Sequence, residues 1–128
     1  MRNIKITIEY EGTNYCGWQI QPNKSTIQEE LIKAINKITG ENVNLIGAGR
    51  TDSGVHAIGQ VANFKTMSNI ASSKFASAIT SQLPRDIAVM KSEEVPLSFH
   101  ARFDAIGKSY KYIIVNQAVK SPLLRNLA

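Results

Sequence analysis

Between Asn3 and Tyr10 the chain alternates Ile4, Ile6 and Ile8 with Lys5, Thr7 and Glu9, whereas Ile27, Leu31, Ala34, Ile35 and Ile38 recur at helical spacing. The first pattern has the period of two of a half-buried strand, and the second is that of an amphipathic helix. Each element has one apolar face to cover, so strand and helix are suited to layer against one another. Ser25 with Gln28 three residues on forms a capping-box pattern, and Gly40 suits the far end, which predicts a helix from about Thr26 to Thr39.

The remaining pattern extends this start. Val43 to Ile46 and Gln60 to Lys65 read as two short strands that can pair, and Phe75, Ala76, Ile79 and Leu83 suit a second helix over Ser72 to Leu83, stopped by Pro84. Ile87 to Met90 and Ala105 to Asn116 are extended, the latter with Tyr110, Tyr112 and Ile114 on one face. The expected order is βαββαβ plus one strand: an α+β, ferredoxin-like domain, its mainly antiparallel sheet carrying two helices on one face. Glu11 to Lys24, with two glycines, two asparagines and Pro22 around Tyr15-Cys16-Gly17-Trp18-Gln19, reads as a structured loop.

At 128 residues, with no linker or internal repeat, a single domain is expected. No apolar run nears the roughly 18 residues of a membrane span, and the start lacks a signal-peptide core, so a soluble cytoplasmic protein is expected. Cys16 is the lone cysteine, which excludes an internal disulfide and a multi-cysteine zinc site. The net charge of +5 is concentrated: from His100 onward five basic residues (Arg102, Lys108, Lys111, Lys120, Arg125) face Asp104 alone, an electrostatic footprint suited to phosphates.

The densest polar run is Gly47-Ala48-Gly49-Arg50-Thr51-Asp52-Ser53-Gly54-Val55-His56. It is neither a dinucleotide fingerprint, whose third glycine would fall at Asp52, nor a phosphate loop, which needs Gly-Lys-Ser/Thr. Asp52-Ser53-Gly54 reads as a turn with an Asx hydrogen bond, or as the seat of a reactive carboxylate. In an extended stretch Arg50 and Asp52 share a face with Cα atoms about 7 Å apart, within reach of an ion pair. An ordinary Asp is ionised at neutral pH, so it can attack carbon without a general base, and a neighbouring guanidinium would keep it charged and directed. His56 reads as a structural or RNA-contacting residue ahead of a base or metal ligand. Phe99-His100-Ala101-Arg102-Phe103 and Tyr110-Lys111-Tyr112 interleave aromatic and basic residues, as base-stacking proteins do and as plain strand cores also do.

Taken together, the run Glu9 to Gly12, Gly17-Trp18-Gln19, Thr26-Ile27-Gln28, Gly49 to Ala57, Gly59-Gln60-Val61, Leu83-Pro84 and Phe99 to Phe103 with Tyr110 resembles the A-type tRNA pseudouridine synthases. The resemblance implies isomerisation of uridine to pseudouridine in the anticodon stem-loop of tRNA, without cofactor or required metal. It implies Asp52 as the catalytic carboxylate, Arg50 as the basic residue beside it and Tyr110 as the ring that packs on the target uracil. Arg102, Lys108, Lys111, His100, Trp18 and Gln19 are the expected RNA contacts. Members of that family are homodimers of two-domain chains, so the sequence is expected to be the N-terminal half, with little turnover by itself. The competing readings are a non-catalytic ferredoxin-like RNA-binding module and a small-molecule-binding domain on the same fold.

Overall fold

A computed structural model describes residues 1–22, 24–49, 54 and 56–104, and the backbone alone of 111–113. The elements are β1 (Arg2–Tyr10), α1 (Ile27–Thr39), β2 (Ile46–Gly47), β3 (His56–Thr66), a 3-10 turn (Ser72–Lys74) running into α2 (Phe75–Thr80), β4 (Ile87–Val95), α3 (Ala101–Asp104) and β5 (Lys111–Ile113). The sheet order is β2-β3-β1-β4, with every pairing antiparallel and β5 added to β3. This is the expected α+β arrangement.

The alternation in β1 does what its period requires. Ile4, Ile6, Ile8 and Tyr10 are buried and join Ala62 and Phe64 of β3, Ile87 and Val89 of β4, Ile27, Leu31 and Ile35 of α1, and Phe75 and Ile79 of α2 in one core. Each fully buried isoleucine contributes about 1.5–3 kcal/mol relative to an exposed one. Ile6 pairs with Ala62 on one side and Ser92 on the other, so β1 is the central strand. A one-residue slip would turn its isoleucines to the opposite face.

Several boundaries moved for identifiable reasons. The cap of α1 is Thr26, whose hydroxyl accepts from the Glu29 amide at 3.3 Å, while the Ser25 carbonyl accepts from Cys16 at 2.8 Å. The Gln28 side chain, expected to close a capping box, instead accepts from the Ile20 amide (3.0 Å) and donates to the Leu45 carbonyl (2.8 Å). Asn36 accepts from the Val43 amide at 2.9 Å. Two α1 side chains thereby take backbone groups at both ends of the expected strand Val43 to Ile46, and β2 keeps only Ile46–Gly47. β3 and β4 are longer than expected, α2 is shorter, and α3 is a turn of helix that periodicity did not signal. Tyr110 and most of the expected last strand lie outside the described residues.

One polar cluster positions α3. Asn63 donates to the Asn3 side chain (3.0 Å) and accepts from the Ala101 amide (2.8 Å), while Asn3 donates to the carbonyls of Pro96 and Phe99, each at 3.0 Å. Both asparagines are buried with every side-chain oxygen and nitrogen hydrogen-bonded, which seats residues 96–101 on the sheet face away from α1 and α2. No helix among the described residues is long and apolar enough to cross a membrane.

Candidate functional site

The polar run singled out above connects β2 to β3, and its two ends are held by different parts of the fold. On the side that precedes Asp52, Ala48 donates to the Val61 carbonyl at 2.8 Å and the buried Gln60 side chain donates to the Gly49 carbonyl at 2.7 Å. These ties belong to β3. Gly47 lies against the indole of Trp18, which is 1% exposed and tilted against Tyr10 with ring centroids 6.2 Å apart.

On the side that follows Asp52, the ties go to the loop after β1. Gly54, at φ 80°, donates to the Tyr15 carbonyl at 3.4 Å, and the Gly12 amide donates to Nδ1 of His56 at 2.8 Å. The Gly12–Trp18 loop is itself anchored at its base. Tyr15 donates its phenol proton to Asp86 Oδ1 at 2.6 Å, and Glu11 donates its amide to the Asp86 carbonyl at 2.9 Å. On its far side, the amides of Ile27 and Gln28 in the first turn of α1 donate to the carbonyls of Gly17 (3.2 Å) and Trp18 (3.0 Å). The loop thereby supplies acceptors that a helix N-terminus otherwise lacks.

The ionisation states follow from these contacts. Burial pushes the pKa of His56 below its ordinary value, partly opposed by the charge of Glu11. Because Nδ1 accepts the Gly12 proton, the neutral ring carries its own proton on Nε2. Burial, then the hydrogen bond and charge of Asp86, then Glu30, raise Tyr15 far above the usual phenol range, so it stays a donor.

The sequence-predicted residues are distributed as follows. Arg50, Asp52, Lys108 and Tyr110 lie outside the described residues, and of Lys111 only the backbone is described, paired with Ile58 at the start of β3. Gln19 is exposed on the braced loop. His100 stands just before α3, where its Nδ1 accepts from the Phe103 amide at 3.3 Å and its ring stacks on Phe103 with centroids 4.0 Å apart. Arg102 is exposed on α3, which packs against β2 and β3, the strands that flank the loop. Trp18 is different: its ring is committed to the core beneath Gly47, with no open face for a base. Among the described residues no group of His, Cys, Asp and Glu is placed to hold a metal ion.

Sequence reasoning did not find Gly12, Tyr15 or Asp86 as supports. Tyr15 and Asp86 meet across a separation of 71 residues, and no local pattern marks such a pair.

The fold and the ties at both ends of this loop define an α+β domain whose β2–β3 connection is held to β3 on one side and to the loop after β1 on the other. A family profile described as tRNA pseudouridine synthase matches residues 6–104. The chain belongs to the tRNA pseudouridine synthase family. It is 58% identical over its whole length to a protein named tRNA pseudouridine synthase A from Caldicellulosiruptor bescii, of which it covers 52%. Over 98% of its length it is 57% identical to the protein of that name from Thermoanaerobacter sp. and 52% identical to that from Clostridium acetobutylicum, covering 52% of each. The chain thus spans about half the length of the curated relatives it matches.

Proposed function

We propose that this chain carries the aspartate-bearing part of a cleft that converts uridine to pseudouridine in the anticodon stem-loop of tRNA. Asp52 is the attacking carboxylate, Arg50 the cation that keeps it charged and aimed, and Tyr110 the ring that receives the target base. The observation that supports this reading best is the loop between β2 and β3. It carries Gly49-Arg50-Thr51-Asp52-Ser53-Gly54 and is fastened on its two sides to separate parts of the fold. A reacting group has to be held within a fraction of an ångström of its target, and such fastening suits that need.

A uridine in a stem leaves its stack at a cost of a few kcal/mol, which stacking on an aromatic ring partly offsets. The bond from uracil N1 to the ribose breaks, the base turns, and C5 takes the place of N1. The C5 hydrogen leaves as a proton and N1 gains one. Atoms and electrons balance within the nucleoside, so no cofactor is called for. His100, Arg102, Lys108, Lys111 and Gln19 hold the RNA, chiefly through phosphates. The reaction takes place in the cytoplasm, where tRNA is, and the working assembly is a dimer of two-domain chains.

The test uses a chimera in which residues 1–128 replace the matching half of a curated relative. Asp52→Asn is expected to abolish tritium release from C5-labelled uridine in tRNA while leaving tRNA binding within about twofold, since one charge is lost and no phosphate contact. Undiminished release would sink the assignment.

A further inference from the structure

β1 and β3 run as an antiparallel pair as far as Tyr10 opposite Ala57, and one step further Glu11 and His56 would face each other. Their pairing stops there. The Glu11 amide goes instead to the Asp86 carbonyl on the β4 side, and the Gly12 amide goes to the His56 ring. A side chain replaces the next rung of the ladder, so the chain can leave β1 for the Gly12–Trp18 loop while remaining tied to β3.

From this geometry we infer that His56 is a positioning residue for Asp52, acting through the Gly12 amide. Asp52 lies four residues before His56, at most about 14 Å of extended chain. Of the ties on that side, the one to His56 is the shorter, at 2.8 Å against 3.4 Å for Gly54. The ring is 1% exposed, and its Nδ1 is spent on a backbone donor. The side before Asp52 answers to β3 and the side after it to the Gly12–Trp18 loop, so the aspartate's direction depends on keeping those two supports in register. His56 joins them: its backbone begins β3 and its ring holds the loop. Among the described residues Glu11 is the charged group that acts on the ring, and it favours the protonated form that burial opposes.

This inference rests on the reading of Asp52 above, and its test separates the two. Asn places an oxygen where the Nδ1 of His stands, whereas Gln moves it outward. In the chimera, His56→Asn is expected to keep kcat within about threefold, and His56→Gln to lower kcat by about tenfold or more with KM for tRNA unchanged. In the 128-residue chain, the Gly12 amide proton is expected to keep its downfield NMR shift and its protection from exchange in His56→Asn and to lose both in His56→Gln. Equal kcat in the two variants, a change confined to KM, or a Gly12 amide indifferent to both overturns the inference. Turnover that survives Asp52→Asn in the same chimera instead overturns the reading beneath it.

Discussion

Gly47 packs against the indole of Trp18 so closely that a methyl group placed on its Cα falls 2.7 Å from Cε2 and Nε1 of the ring. A methyl cannot occupy that space without moving either the buried indole or the start of the Asp52 loop. Gly47→Ala is therefore expected to lower stability by about 1–3 kcal/mol, as overpacking does, and to be partly relieved by Trp18→Leu in the same chain. Urea unfolding midpoints of the two single variants and the double variant check this; additive losses would show that the two residues do not meet.

Asn63 offers a second point of leverage. It is 1% exposed and joins Asn3 to the Ala101 amide, so Asn63→Ala leaves buried polar groups without partners. The expected loss is about 2 kcal/mol or more, and α3 loses its seat on the sheet. Because α3 carries Arg102, affinity for an anticodon stem-loop should fall along with stability. Asn63→Asp keeps an acceptor for Ala101 but sets a carboxylate oxygen against the Asn3 acceptor and buries a charge, so it should recover neither; urea midpoints and stem-loop affinity of the two variants check this, and a fully stable Asn63→Asp would refute it.

Acid should weaken the fold in two separate windows. Glu41 is held below the usual carboxylate range, first by the Thr66 hydroxyl and then by the Met67 amide at 2.8 Å. Its folded pKa is depressed, so its contribution is fully present above about pH 4.3 and is lost as pH falls through the lowered value. The depressed pKa of His56 works the same way from about pH 6.5 downward, because the unfolded chain takes up that proton first. Urea midpoints of Glu41→Gln and the parent chain are expected to differ at about pH 7 and to draw together as pH falls below about 4.3. A constant difference across that range would refute the assignment.

The exposed Arg102 side chain is expected to hold phosphate and to read no sequence. Arg102→Ala should reduce by about one unit the slope of log affinity against log salt for an anticodon stem-loop. An unchanged slope would remove Arg102 from the RNA interface.

What could be read from the sequence and what could not divide along a physical line. The isoleucines of β1 and the apolar stripe of α1 were legible because periodicity records which side of an element meets the core. The loop between β2 and β3 was legible as a polar run between apolar segments. The curtailment of β2 was not, because it depends on Asn36 and Gln28 reaching backbone groups from another element. The same holds for Tyr15 with Asp86 and for Asn3 with Asn63, bonds between side chains far apart in the chain that leave no repeating trace. Trp18 looked like a surface aromatic beside Gln19 because nothing local reveals that Gly47, on strand β2, leaves room for its ring.

The central position of β1 also bears on how the chain matures. Its partners are late in the sequence: Tyr10 waits for Ala57, and Asn3 for Val95. A chain emerging from the ribosome can form α1 at once, yet β1 has both of its strand partners only when β4 has been made. Such non-local pairing slows folding and leaves a sticky segment uncovered during synthesis. A delay before the sheet can close is thus built in by placing the first strand in its middle.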